Sequence, residues 1–111
     1  MASTLAKASV ATIRPQGDIN ASNAGEFQRQ LTAALLSAQN SGLLVDMAQV
    51  DSLDSAGLVA LVSGLTLAQR ENKRLHLCGV SPAIAIVFEL TGLDRVFEIF
   101  VSHKAFEAAI A

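Results

Sequence analysis

The chain has 111 residues, of which 51% are hydrophobic, and its formal net charge is −2 at pH 7. A chain of this length buries enough surface to fold without a metal or a disulfide, so we expect a single domain over residues 1–111. The 8 Lys and Arg residues are scattered, and there are 5 Phe but no Trp or Tyr. The sequence therefore lacks both a basic stripe and aromatic stacking platforms, which argues against nucleic-acid binding.

Cys78 is the single cysteine, so an internal disulfide and a zinc site built from several cysteines are excluded. Because Cys78 lies within an apolar run, we expect a buried, reduced thiol. No stretch reaches the ~20 consecutive apolar residues of a membrane span, and residues 1–10 lack the apolar core of a signal peptide. The sequence predicts a cytoplasmic protein that is not inserted in a membrane and has no metal or cofactor.

Strand and helix signals alternate along the chain. Short apolar runs predict strands at residues 9–15, 43–50, 74–80 and 95–100. A segment with helical periodicity follows each of them, while residues 16–23 and 50–54 are predicted to be loops. The fold class is therefore α/β: a mostly parallel sheet of about four strands with about four helices packed against it.

Residues that favour helix ends delimit the predicted helices. The candidate caps are Ser22 or Asn23, Asp54 or Ser55, Ser81 followed by Pro82, and Ser102. Glycines are expected to end the first and third helices, at Gly42 and Gly92. The predicted core face of the first helix consists of Phe27, Leu31, Leu35 and Ala38.

The second predicted helix carries no charged side chain between Ser55 and Gln69. Its predicted core face consists of Leu58, Leu61, Val62 and Leu65. The remaining sides are also small or apolar, with Val59, Ala60, Ser63, Thr66 and Leu67. An uncharged outer face on a small protein is typical of a docking surface.

The start of this helix has two interpretations, which the residues alone leave open. In the first, Asp54 or Ser55 only caps the helix by accepting a hydrogen bond from a first-turn amide. In the second, the unpaired amides and the helix dipole favour an anion there. A phosphoryl group on Ser55 would then place about −1.5 to −2 charges beside the docking surface.

Catalytic and metal-binding candidates are weak. The serine lies in Leu-Asp-Ser-Ala-Gly rather than in a nucleophile elbow, and neither a Walker loop nor a dinucleotide fingerprint is present. His76 or His103 could approach Ser55 only through the fold. Asp46, Asp51 and Asp54 could bind a hard cation, but solvated or capping carboxylates are the favoured interpretation. We therefore expect no enzyme.

Three segments resemble a STAS domain of the anti-sigma factor antagonist family. They are GDIN at 17–20, LLVDMAQVDSLDSAGLVALV at 43–62 and LHLCGVSPAIAIVFELTGLDRVFEIF at 75–100. The family motif Asp-Ser-Ser/Thr/Ala-Gly-Leu matches Asp54 to Leu58. The resemblance implies that Ser55 is phosphorylated by a serine-kinase anti-sigma factor, which the unphosphorylated protein binds, and that a metal-dependent serine phosphatase reverses the modification.

The resemblance also implies a partner-binding set. Its members are Asn20, Asp54, Ser55, Ala56, Gly57, Leu58 and Val59. The family commonly has Gly-Glu-Leu-Asp after the first strand, whereas this chain has an amide, Asn20, at the last of those positions. Similar proteins also serve as accessory subunits of lipid-transport ABC systems, in which the uncharged helix would bind an ATPase permanently and Ser55 would only cap.

Overall fold

The computed structural model describes residues 10–110. The strands are β1 (Val10–Ile13), β2 (Gly17–Ile19), β3 (Gly42–Asp46), β4 (Val50–Leu53), β5 (Arg74–Cys78) and β6 (Glu98–Phe100). The α-helices are α1 (Ala24–Leu36), α2 (Ser55–Arg70), α3 (Pro82–Thr91) and α4 (His103–Ile110), and a 3-10 turn spans Leu93–Arg95. The predicted α/β class, a mostly parallel sheet of about four strands with about four helices, is confirmed within residues 10–110. Ser9, which the first predicted strand includes, lies outside the described residues.

The main sheet has the strand order β1-β3-β5-β6, and every neighbouring pair is parallel. Successive connections advance across the sheet in one direction. Since parallel crossovers are right-handed, such connections lie on the same face. Helices α1, α2 and α3 accordingly pack on one face, and α4 packs on the other.

The main core lies between the first three helices and the sheet. Phe27 and Leu31 of α1, Leu61 of α2 and Phe88 of α3 belong to it. A smaller core on the opposite face consists of Leu44, Cys78 and Phe106. Cys78 is fully buried, as predicted. Burial, with a smaller contribution from Asp46, raises the pKa of its thiol to about 11, so the thiol is protonated and unreactive at neutral pH.

Two segments predicted to be loops are strands instead. Gly17–Ile19 and Val50–Leu53 form β2 and β4, which pair in parallel as a separate two-stranded sheet. The three-residue strand β2 contains the exposed Asp18, and Asp51 and Ser52 of β4 are exposed. Neither segment therefore has the continuous apolar run that marks a buried strand, and the prediction for both segments was wrong.

Most predicted helix ends are confirmed, but those of α1 are not. Ser81 caps α3 through its hydroxyl, Gly92 ends α3 at a φ of 77°, and Ser102 accepts a hydrogen bond from a first-turn amide of α4. Helix α1 ends at Leu36 rather than Gly42, which leaves Ala38 exposed and outside it. Asn23 occupies the N-cap position without capping. In the described range 10–110, no helix has both the length and the apolar character that crossing a membrane requires.

A candidate partner-binding site at the start of helix α2

The candidate site lies where β2 and β4 end. The two strands are parallel, with Ile19 in register with Leu53, so their carboxyl ends meet. The amide of Asp54 donates a 3.1 Å hydrogen bond to the carbonyl oxygen of Ile19. This contact brings Asn20, the next residue after Ile19, beside the start of α2. The pairing of β2 with β4 therefore assembles the site from two distant parts of the sequence.

Asp54, not Ser55, caps α2. Its Oδ1 accepts a 3.1 Å hydrogen bond from the Gly57 amide, while its carbonyl oxygen accepts one from the Leu58 amide. Ser55 is the first helical residue and is exposed. Within residues 10–110 its hydroxyl has no hydrogen-bond partner. Asp54 thus caps the helix, which leaves the Ser55 hydroxyl available for modification.

Asn20 holds the turn between β2 and α1. Its Oδ1 accepts hydrogen bonds from the amide of Ser22 at 3.0 Å and from the Ser22 hydroxyl at 2.6 Å. Asn23 completes the turn, since its side chain accepts from the Asn20 amide and donates to the Asp18 carbonyl oxygen. The Asp18 carboxylate accepts a 2.6 Å hydrogen bond from Ser52. Asn20 therefore adds a neutral, firmly held turn beside Ser55.

Gly57 allows α2 to start this close to the strands. A Cβ on Gly57 would overlap Cδ1 of Leu53 and lie 3.0 Å from Cγ2 of Ile19. Those two residues end β4 and β2. Because position 57 has no side chain, the first turn of α2 can lie close to both strands. This close approach also positions Ser55, which lies in the same turn.

The buried face of α2 differs from the predicted one. Its buried residues are mostly small: Gly57, Ala60, Leu61, Gly64 and Ala68. Val62, predicted in the core, is 37% exposed, and Val59 is 62% exposed. Ala60, predicted outside the core, is buried. The prediction followed the larger apolar side chains, whereas close approach to α1 and the sheet selects the small ones.

An open groove of about 690 Å³ runs along the outer side of α2 and is called the α2 groove here. Its floor is formed by α2 residues from Ser55 to Arg70, and its walls by Gln28 and Thr32 of α1 and by Thr91 and Leu93. Ser55 lies at one end of the floor. None of these wall residues was predicted from the sequence, because their polar or isolated positions give no signal until the helices are packed.

The other candidates do not form a second site. Asp46 pairs with Arg14 at 3.3 Å and accepts a hydrogen bond from the Ala48 amide, so it is already engaged. His76 is in register with Leu44 on the face covered by α4, and its Nε2 lies 2.8 Å from Glu98. His103 begins α4. Both histidines are therefore on the opposite side of the sheet from α2, and the fold does not pair either with Ser55.

Comparison with known proteins identifies the family of the chain. The family model of the STAS domain matches residues 2–105. BtrV of Bordetella bronchiseptica, a candidate anti-sigma factor antagonist, is 32% identical over 95 residues, which cover 85% of this chain and 80% of BtrV.

Two solved structures share the fold. A candidate anti-sigma factor antagonist of Thermotoga maritima superimposes with a TM-score of 0.83 at 22% identity, over 91% of this chain and 86% of the other. The Bacillus cell fate determinant SpoIIAA, in its phosphorylated form, superimposes with a TM-score of 0.72 at 15% identity, over 92% and 91% of the two chains. The chain belongs to the STAS domain family.

Proposed function

We propose that this protein is an anti-sigma factor antagonist that acts by partner switching and has no catalytic activity of its own. Unphosphorylated, it binds a serine-kinase anti-sigma factor and so frees a sigma factor. The kinase phosphorylates Ser55, and the phosphorylated protein dissociates. A metal-dependent serine phosphatase restores the binding form. The similarity to BtrV over most of both chains supports this assignment.

The observation that carries the proposal is the exposed, unbonded hydroxyl of Ser55 at the start of an apolar groove. In the transfer, the Ser55 oxygen bonds to the γ-phosphorus of ATP held by the kinase. ADP leaves, and the hydroxyl proton passes to a base of the kinase. An accessible hydroxyl that the fold does not already use can enter the kinase active site without breaking a contact of the folded protein.

The local structure tolerates the product. A phosphoserine at position 55 adds about −1.5 to −2 charges at pH 7. The first-turn amides of Ser55 and Ala56 have no partner within the described residues, and the positive end of the helix dipole favours an anion there. SpoIIAA, which has the same fold, has been solved in a phosphorylated form. The modification therefore changes the surface and leaves the fold intact.

The binding surface surrounds Ser55. Asn20 lies beside it, with Asp54 and Gly57 fixing the helix start. Ala56, Leu58 and Val59 extend the surface from the first turn, and Val59 is 62% exposed. Burying these apolar groups against a partner is favourable by about 25 cal/mol per Å². A phosphate at the same place must lose its hydration on binding, which opposes the complex.

A comparative pull-down from the native cytoplasm tests the proposal. The baits are wild type, Ser55→Asp and Ser102→Asp. Ser102 is a suitable control because it is exposed and caps α4. Ser102→Asp adds the same negative charge as Ser55→Asp and keeps a residue that can cap a helix. We expect wild type and Ser102→Asp to capture a serine kinase and Ser55→Asp to lose it, with circular dichroism unchanged.

The transport alternative predicts a different pull-down result. If all three baits retain the same ATPase or permease, the charge on Ser55 has no role in binding. The surface would then be a permanent docking site of a transport system, and the proposed function would be wrong.

A further inference from the structure

One helical stripe runs the full length of the floor of the α2 groove, beside Leu58, Ser63 and Leu67. Ser55, Val59, Val62, Thr66 and Arg70 all line it and recur every three or four residues. At 1.5 Å per residue the stripe is about 22 Å long. Gln28 and Thr32, spaced four apart on α1, form a parallel row along one wall. Rows with this spacing are the ridges between which the side chains of another helix pack.

Charge in the groove is confined to one end. Arg70 is the one charged side chain among the described residues that line it. Arg14 and Arg29 each pair with a carboxylate, whereas Arg70 has no ion-pair partner within residues 10–110. A surface with a negative group at this end and apolar groups opposite Val59 and Val62 is therefore complementary to the groove.

We propose that the α2 groove binds an amphipathic helix of the partner, antiparallel to α2, whose acidic first turn pairs with Arg70. This proposal rests on the proposed function, since it names the element of the partner that Ser55 controls. Apolar residues of the partner helix, spaced three and four apart, contact Leu58, Val59, Val62 and Leu67. Helix-in-groove binding of this kind depends on such anchors.

The antiparallel direction explains the effect of phosphate. Acidic residues are favourable at the N-terminus of a helix, and a helix C-terminus carries about half a negative charge. With its acidic first turn at Arg70, the partner helix ends near Ser55 and faces the positive N-terminus of α2. A phosphate on Ser55 reverses the sign of the charge there and repels the end of the partner helix. The kinase thus removes its own binding site.

Two experiments on the captured protein test the inference. The first places a photo-crosslinking amino acid at Val62, with Val101 as the control because it is 87% exposed but lies beyond β6. Mass spectrometry then maps the crosslinked residues on the protein that wild type captures. We expect crosslinks from position 62 to fall on one amphipathic helix with Asp or Glu in its first turn, and position 101 to give none.

The second experiment measures the affinity of Arg70→Glu for the same captured protein, with Arg74→Glu as an exposed control on β5. Loss of the ion pair and the new like-charge contact should weaken binding by about tenfold or more. Arg74→Glu should bind as wild type does. Replacing the acidic first-turn residue of the partner with Lys should restore binding to Arg70→Glu.

Some outcomes would reject the helix proposal, others the proposed function, and one would reject both. Crosslinks to a strand or loop, equal binding by Arg70→Glu and wild type, or an acyl chain extracted from the groove would reject the helix proposal while leaving the Ser55 switch in place. An acidic helix from a protein that is not a kinase would support the helix proposal and reject the proposed function. A wild-type bait that captures nothing would contradict both.

Discussion

Helices α1 and α2 lie side by side on the same face of the sheet, yet they use apolar residues in opposite ways. Helix α1 buries large side chains, including Phe27, Leu31 and Leu35, and exposes a Glu26–Arg29 ion pair. Helix α2 buries Gly, Ala and one Leu, and its outer side is uncharged up to Arg70. Helix α1 therefore contributes mainly to the core, whereas α2 combines close packing on its inner side with an exposed, uncharged outer side, which we propose binds the partner.

The two patterns depend on each other. A Cβ on Gly64 of α2 would lie 3.2 Å from Cδ1 of Leu31 and 3.5 Å from Cδ2 of Leu75. The large residues of α1 and β5 thus fill space that the small residues of α2 leave free. Val59 and Val62 lie on the outer side of α2, where they line the α2 groove.

The largest expected effect distinguishes the two sides of α2. Leu61 is fully buried, so Leu61→Ala should lower the free energy of unfolding by about 2–5 kcal/mol. Val62, its neighbour, is 37% exposed, and Val62→Ala should cost less than about 1 kcal/mol. Urea denaturation of both variants measures the difference. Equal losses would mean that the groove face is part of the core.

Smaller changes in stability are expected for glycines in the first turns of α1 and α2. At Gly57 a methyl group overlaps Leu53, so Gly57→Ala should destabilise the protein by about 1–2 kcal/mol. At Gly25 the nearest atom to a new Cβ is the end of the Arg29 side chain at 3.7 Å. Gly25→Ala should therefore stabilise by up to about 1 kcal/mol. Thermal unfolding checks the sign of each change, and a stabilising Gly57→Ala would disprove the close contact.

The smallest effect concerns the cap of α2. Asp54→Ala removes the hydrogen bond to the Gly57 amide and should lower stability by about 1 kcal/mol. Asp51 is the matched control, because its carboxylate is exposed on β4 and caps no helix. Asp51→Ala should therefore change stability by less than about 0.5 kcal/mol. The denaturant midpoints of Asp54→Ala and Asp51→Ala measure the two changes in stability. If Ser55→Ala were the costly variant instead, Ser55 would be the cap and unavailable as a phosphoryl acceptor.

The sequence predicted those features that depend on neighbouring residues. The α/β order, the caps at Ser81 and Ser102, and the burial of Cys78 follow from local pattern and composition. The cap of α2 was narrowed to Asp54 or Ser55, and the structure assigns it to Asp54. The strands β2 and β4 were missed because each is short and partly polar, and their pairing joins residues 33 or more positions apart. A local pattern contains no information on such a contact.

The proposed binding surface was only partly predictable for the same reason. The absence of charge between Ser55 and Gln69 indicated an outer docking face. Which residues form it depends on the large side chains of α1 and β5, which exclude Val62 from the core and admit Ala60. The walls at Gln28 and Thr91 belong to other helices and appear only in the folded protein.

The most direct test of the account is the dissociation constant for the partner captured by wild type. Isothermal titration calorimetry would compare the unmodified chain, the chain phosphorylated at Ser55 and Ser102→Asp. We expect phosphorylation to weaken binding by about a hundredfold or more, because a doubly charged group must enter the interface. Ser102→Asp should bind as wild type does. Equal affinity of the phosphorylated and unmodified chains would contradict the claim that the charge on Ser55 controls the outer face of α2.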